Sequence, residues 1–304
     1  MNKILITGGA GFIGSHLSDF LSKKNQVIII DKLSHGNKIK QINKNIKLIK
    51  GDVRDKDLMN FYSKNCSSIF HLAAVLGVDI VSKKNVETME CEFEGIKNVC
   101  IAAKKNKIKK IIYSSSSGVY GKLNFKKNVK ENATIAPVSA YSISKRACEF
   151  YLKSFFKENR INSIAVRLFN VYGPRQDNRM VIARFIGQAL KNKPITIYGS
   201  GKQTRDFTYI DDCVKVFDLI NKKVKGFRIL NSSKGKDFDI LGLAKKIKTD
   251  LKSKSKIIHV KVPENLEEFQ VLKRCGDSSK LNELIGYKPS TNFSVGLKKT
   301  ILEV

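Results

Sequence analysis

No apolar run in this 304-residue chain approaches the ~20 residues that a bilayer-spanning helix requires, so no transmembrane helix is expected. The leading MNKILITGG breaks into glycines after a short apolar run and lacks a cleavage-site pattern. No targeting signal is read there, and a cytoplasmic protein is expected. Cys66, Cys91, Cys100, Cys148, Cys213 and Cys275 show neither CxxC spacing nor neighbouring histidine pairs, which argues against a zinc site or a disulfide framework. Reduced, structural thiols and no bound metal are expected. Acidic residues are scarce, 27 against 57 lysines and arginines, for a formal charge of +30. Yet the excess is mostly lysine spread along the whole chain, as in KKNKIKK, with no aromatic interleaving and no arginine-rich face. This reads as a solvated surface, and neither a nucleic-acid nor a membrane partner is expected. Internal repeats and low-complexity linkers are also missing.

What the chain does contain is a hydrophobic fraction of 42%, enough at this length for a substantial core. Short β-branched runs (KILIT, QVIIID, IKLIKGD, SIFHLAA, KKIIYSS, SIAVRLFN) alternate with helical stretches, the longest from Val86 to Lys105. Such alternation implies right-handed crossovers and a doubly wound parallel sheet, an α/β fold of the Rossmann type. After Gly173 the rhythm becomes less regular and suggests a smaller α/β lobe closing over the sheet's C-terminal edge. The expected division is 1–170 for a dinucleotide-binding domain, with segments near 205–232 returning to it, and 171–304 for a substrate-binding lobe.

Between the first strand and first helix, TGGAGFIG gives Gly8, Gly11 and Gly14 the GxxGxxG spacing. Backbone without Cβ can approach a pyrophosphate there, and the helix that begins around Phe12 and Ile13 offers unpaired N–H groups and a positive dipole end. The next strand ends in Asp31, near the ~20-residue offset expected of a ribose-binding acid. An acid at that point accepts from the ribose hydroxyls and repels a 2′-phosphate, so NAD is expected rather than NADP, with Lys32 beside it a mild complication. Asp52 and Val53 are placed beside the adenine. In HLAA, Leu72, Ala73 and Ala74 leave room for the cofactor chain.

YSISK puts Tyr141 and Lys145 four apart, on one face of the helix they open. A phenol with a reference pKa of ~10 is a poor base at neutral pH, but a nearby ammonium favours its phenolate. The pair is then a usable general acid/base.

TGGAGFIG, Asp31 with LSHG after it, HLAA, SSSSGVYG, YSISK, RLFNVYGPRQ and YGSGKQTRDFTYIDD follow one another across nearly the entire chain. As a set they resemble the extended short-chain dehydrogenase/reductase family, particularly its NAD-dependent nucleotide-sugar epimerases and dehydratases and, among these, UDP-glucose 4-epimerase-like proteins. The resemblance implies that Tyr141 is the catalytic base, that Lys145 orients the nicotinamide ribose and lowers the tyrosine pKa, and that Ser116 hydrogen-bonds the sugar hydroxyl to be oxidised. It implies that Asn170 and Arg205 hold the sugar and the nucleotide diphosphate, with Arg274 as a second candidate for the diphosphate. It also suggests a homodimer formed by the helices near Val86 to Lys105 and Ala140 to Lys157, whose outer faces would carry Met89, Phe93, Phe150 and Phe155.

Dehydratases of this kind carry an Asp-Glu pair directly after the catalytic Ser/Thr, and UDP-glucuronate decarboxylases a glutamate two residues before the turn tyrosine. Here those places hold Ser117 and Gly118. The reading that follows is 4-epimerisation of a UDP-hexose, UDP-N-acetylhexosamine or UDP-uronic acid by oxidation at C4, rotation of the keto-sugar and re-reduction. Dehydration, decarboxylation and simple reduction stand as alternatives, and a non-catalytic dinucleotide-sensing regulator as a further class. Three departures accompany the resemblance: LEEFQ (266–270) where galactose-pathway epimerases have Arg-Pro-x-Asp, Ala140 in place of a proline, and Glu92 where an asparagine is frequent in the long helix.

Overall fold

In the computed structural model, residues 1–40, 43–75, 83–122 and 127–303 are described. The chain begins with β1 (Asn2–Thr7), α1 (Phe12–Leu21), β2 (Asn25–Asp31), β3 (Ile46–Lys50), α2 (Lys56–Tyr62), β4 (Ser68–His71) and α3 (Asn85–Lys105). It continues through β5 (Lys110–Ser116), a 3-10 turn (Ser117–Tyr120), α4 (Ala140–Asn159) and β6 (Asn162–Leu168). These strands are apolar on both faces, as parallel strands covered by helices must be, and Leu5, Ile6, Ile29, Ile69, Ile111 and Ile164 are fully buried.

With β10 (Phe227–Ser232), they form a seven-stranded parallel sheet in the order β10-β6-β5-β4-β1-β2-β3. This is a doubly wound α/β fold, with its order reversing between β1 and β4. α1 and α6 (Ile210–Lys223) pack together on one face, while α2, α3 and α4 cover the other. The register aligns Thr7 with Ile30 and His71, and Ser116 with Leu168. The C-terminal ends of β1, β2, β4, β5 and β6 therefore meet at one edge, where the loops of such sheets build sites.

The second half adds β7 (Asn170–Tyr172), α5 (Val181–Leu190), β8 (Ile195–Tyr198) and β9 (Thr204–Tyr209) before α6. After β10 come β11 (Asp237–Asp239), α7 (Ile240–Asp250), β12 (Ile257–Val260), α8 (Ser279–Ile285) and α9 (Phe293–Leu302). β7, β9 and β11 make a three-stranded sheet, and β8 pairs with β12. An aromatic knot of Tyr172, Phe207, Tyr209, Phe238 and Phe293 ties α9 to the three-stranded sheet. Among the described residues, no helix is long and apolar enough to cross a membrane. One surface expectation is corrected: Phe155 is only 8% exposed and packs with Cys148 and Leu152 in the core, because it faces the sheet side of α4.

Candidate active site

The glycine turn folds tightly onto β4. Gly8 has φ +70°, and a Cβ there would lie 2.7 Å from the Ala73 nitrogen. A Cβ on Gly14 would stand 2.1 Å from the Gly8 carbonyl oxygen. Gly11 caps α1 with no side-chain hydrogen bond, so the first N–H groups around Phe12 and Ile13 are not capped by a side chain. At the end of β2, Asp31 accepts the Ala10 N–H at 3.0 Å and the Leu33 N–H at 2.8 Å, which fixes the carboxylate beside that turn. The Thr7 hydroxyl and carbonyl receive the N–H groups of Ala73 and Leu72, and Ala74 follows, partly exposed, in the loop after β4. An uncapped helix start, a close glycine turn and a held acid together fit a dinucleotide.

Lys32 does not project as a free cation but pairs with Asp52 at 3.3 Å. Asp52 also receives the Arg54 guanidinium on one oxygen, at 2.7 and 3.1 Å. Partial burial pushes its carboxyl up, but Arg54 and Lys32 outweigh this and hold it at about 2. The Val53 side chain is buried, and its carbonyl accepts from Asn98. Any contact with an adenine at this point therefore uses Val53 backbone and the edge of Asp52 rather than a free carboxylate.

The serines that close β5 separate into distinct tasks. The Ser114 hydroxyl donates to the His71 carbonyl at 3.2 Å, and its own carbonyl accepts Lys145 Nζ at 2.8 Å. Ser115 donates to Glu149 at 2.7 Å. Ser116 Oγ caps the 3-10 turn by accepting the Gly118 N–H at 3.0 Å, and it is hydrogen-bonded to the Tyr141 phenol. α4 is started by a capping box between Ser139 and Ser142, which sets Tyr141 and Lys145 on its first turns. Burial raises the Tyr141 pKa, Lys145 pulls it down, Glu92 pushes it up, and the Ser116 hydrogen bond lowers it. The three residues picked out by motif thus stand together at the end of the sheet.

Two buried charge clusters lie behind them, and motif reading missed both as clusters. Lys145 is ion-paired with Glu92 at 2.8 Å, both side chains being essentially inaccessible. Glu149 takes the Arg167 fork through Nε and Nη2 at 2.8 Å each, together with Arg146 and Ser115. Arg167 also donates to the Tyr120 hydroxyl at 2.9 Å, which donates to Asn231 at 2.8 Å. One signal was available: an arginine inside the apolar strand run SIAVRLFN demands a buried acceptor.

On the other side of the cleft, Asn170 is exposed at the start of β7, and its amide donates to the Asp206 carbonyl at 3.4 Å. Arg205 Nη1 donates to the carbonyls of Thr204 and Val271. Arg274 donates to the carbonyl of Gly121, the last residue of SSSSGVYG, and so ties the C-terminal segment to the turn that carries Ser116. Burial lowers both guanidinium pKa values to about 10, and Arg205 adds to the effect on Arg274. Among the described residues neither arginine has a carboxylate within ion-pair distance. Asp206 anchors this region by accepting the N–H groups of Lys234, Gly235 and Gly276, although burial pushes its carboxyl up to about 6. Of LEEFQ, Leu266 is buried, while the side chains of Glu268 and Phe269 lie outside the described residues.

Residues 4–231 match the NAD dependent epimerase/dehydratase family. A UDP-N-acetyl-alpha-D-glucosaminuronate decarboxylase of Bacillus cytotoxicus is 37% identical over 98% of this chain and 96% of its own. A dTDP-D-glucose 4,6-dehydratase of Dictyostelium discoideum is 36% identical over 81% of this chain, a match that spans only 62% of that protein's length. Among solved structures, a UDP-N-acetylglucosamine 4-epimerase of Methanobrevibacter ruminantium, in complex with UDP-N-acetylmuramic acid, superposes with a TM-score of 0.93 at 34% identity, over 99% of this chain and 97% of that one. Epimerases, dehydratases and decarboxylases are all represented, and NAD-dependent modification of nucleotide sugars is what they share. With its glycine turn, held Asp31 and Ser116, Tyr141 and Lys145 at one sheet edge, the chain belongs to the NAD-dependent epimerase/dehydratase family, and its cofactor is NAD.

Proposed function

We propose that the protein is a nucleotide-sugar 4-epimerase acting on a UDP-hexose, a UDP-N-acetylhexosamine or a UDP-uronic acid. The observation that carries this is the chemistry beside Ser116. Ser117 is buried, and Gly118 spends its N–H on Ser116 Oγ. A Cβ at Gly118 would already lie 3.2 Å from that oxygen and 3.3 Å from Ser142 Cβ. Elimination needs an acid to protonate the departing hydroxyl and a base for the C5 proton, and decarboxylation in this family is associated with a glutamate at the Gly118 place. The described carboxylates near the catalytic trio are Glu92, paired with Lys145, and Glu149, paired with Arg167. Neither is free for such work.

NAD, when bound, supplies a reversible acceptor for the C4 hydride. Tyr141 takes the proton of the C4 hydroxyl as the C4–H bond breaks, and Ser116 holds that oxygen by a hydrogen bond. Lys145, fixed on the Ser114 carbonyl, stabilises the tyrosinate. Arg205 and Arg274 hold the diphosphate, to which planar guanidinium forks are well matched, and Asn170 contacts the sugar. With the nucleotide held there, the keto-sugar can turn about its linkage and present its other face for hydride and proton return. Residues 1–170 serve the cofactor on this reading and 171–304 the sugar nucleotide.

Arg274→Met is expected to raise KM for the sugar nucleotide about tenfold with a smaller change in kcat, since it removes one charge-assisted contact. Steady-state kinetics on the best substrate checks this. Decarboxylation is the second reading, favoured by the decarboxylase relative. A panel of nucleotide sugars followed by mass spectrometry separates the two. An isomer of unchanged mass supports the proposal, and loss of carbon dioxide or water overturns it.

We also assign the protein to a homodimer. Val86 and Phe93 on α3 and Ile143, Phe150 and Tyr151 on α4 are exposed, at 70%, 38%, 42%, 53% and 42%, on two helices that pack side by side. A second copy bringing the same two helices would cover this apolar seam. Light scattering should give a dimeric mass for the parent and a lower mass for Phe150→Glu, and a monomeric parent would refute the assignment.

A further inference from the structure

We propose that Glu92 is the resident counter-ion of Lys145, a positioning residue that keeps the ammonium charged and docked on β5 whether or not the cofactor is bound. Glu92 sits on α3 and Lys145 on α4, so nothing local in the sequence brings them together. The Lys145 side chain is 1% exposed and that of Glu92 0%, with Nζ 2.8 Å from Oε1. The other carboxylate oxygen accepts the Tyr113 hydroxyl at 2.7 Å, and the Cys148 thiol donates to the Glu92 backbone carbonyl. Tyr113 thus orients the carboxylate toward α4.

An ammonium has three N–H bonds. The Ser114 carbonyl accepts one of them at 2.8 Å, and Glu92 faces the same nitrogen as its ion-pair partner at 2.8 Å. Until Tyr141 gives up its proton, the remaining surroundings supply no negative charge. From β4, His71 is bonded through Nδ1 to Thr7, and burial, with help from Lys145, drives its pKa to about 3, so it is neutral. From β5 comes Tyr113, whose phenol is raised well above its ordinary range by burial and Glu92. From α4 come Tyr141, Cys148 with a thiol pushed up to about 12 by burial, and Glu149, which belongs to Arg167. From α3 itself comes Cys91, pushed up to about 11 by burial. A lysine so enclosed loses its proton unless a carboxylate faces it. Burial works to lower the Lys145 pKa, and Glu92, the largest opposing influence, together with Tyr141 and Cys148 leaves it raised. The asparagine that the sequence resemblance leads one to expect at this place could accept a hydrogen bond but could not supply that charge.

The distinguishing consequence is that NAD finds Lys145 already protonated. The test is calorimetric titration of NAD into the full-length chain freed of nicotinamide, from neutral to alkaline pH, in two buffers of different ionisation enthalpy. For the parent protein, affinity should stay level up to strongly alkaline pH and no proton should be taken up. For Glu92→Gln, the burial of Lys145 loses its largest opponent, so binding should take up a proton and weaken about tenfold per pH unit above the lowered lysine pKa. Glu92→Asp, which keeps the charge, should restore the parent pattern. A Glu92→Gln variant with a level pH profile and no proton uptake would overturn the proposal, whether its affinity is unchanged or uniformly reduced. If that variant does not fold, the pair is tested in the other direction. Glu92→Gln/Lys145→Met, which removes both charges, should then regain the cooperative denaturant transition that Glu92→Gln lacks, and a double variant that also fails to fold would overturn the proposal. None of these outcomes depends on which sugar carbon is oxidised.

Discussion

Tyr141→Phe should lower kcat about 10³-fold, within the range that a positioned general acid/base contributes. The loss is confined to the chemical step, because the phenol ring is kept and only its hydroxyl is removed. KM for the sugar nucleotide should change little, if, as proposed, Arg205 and Arg274 rather than Tyr141 hold the diphosphate. Ser116→Ala should cost less, because Ser116 donates or accepts a hydrogen bond but holds no proton for transfer. The partner Lys145 explains why a phenol can serve here at all. Burial first, and Glu92 with it, raise the Tyr141 pKa, and the ammonium is the largest opposing influence. Activity should therefore rise with pH as the tyrosinate becomes available. A kcat for Tyr141→Phe within tenfold of the parent would remove tyrosine from the mechanism.

The second large effect concerns stability. Glu149→Gln should destabilise the fold by about 3 to 5 kcal/mol, the usual cost of stranding one member of a buried ion pair. Arg167 is 1% exposed and depends on Glu149 for two of its hydrogen bonds at 2.8 Å. A glutamine can accept one of these but turns an NH₂ group toward the guanidinium. Ser115 would also lose part of its acceptor, which couples the cluster to the strand that ends in Ser116. Denaturant unfolding should show a lowered midpoint for Glu149→Gln and partial recovery in Glu149→Gln/Arg167→Met, because removing both charges relieves the stranded cation. A midpoint unchanged in the single variant would show that the network contributes nothing to folding.

The first half of the fold was legible because its signals are local. A parallel strand buried on both faces is an unbroken apolar run, and the glycine turn and YSISK each announce a strand end or helix start within a few residues. β9 and β11 were harder, since RDFTY and DFD carry charged residues that become internal only after the C-terminal segments fold over them, as Asp206 does by collecting three backbone N–H groups. The last helix, NFSVGLKKTIL, was not read at all, and its place depends on aromatic packing against Tyr172 and Phe207. For the site, residues could be assigned wherever motif and chemistry share a short stretch. Glu92 was noted only as a departure from pattern, because a contact between two helices has no signature in either. Lys32 looked like a modifier of cofactor choice until Asp52 was seen to hold it.

The most direct measurement follows a deuterium placed at C4 of a UDP-sugar substrate through one turnover by nuclear magnetic resonance in ordinary water. The expected product has inverted configuration at C4 and still carries the label there, with no hydrogen from solvent at C5, because the hydride leaves and returns to the same carbon. Label transferred to another carbon, or solvent hydrogen fixed at C5, would contradict it.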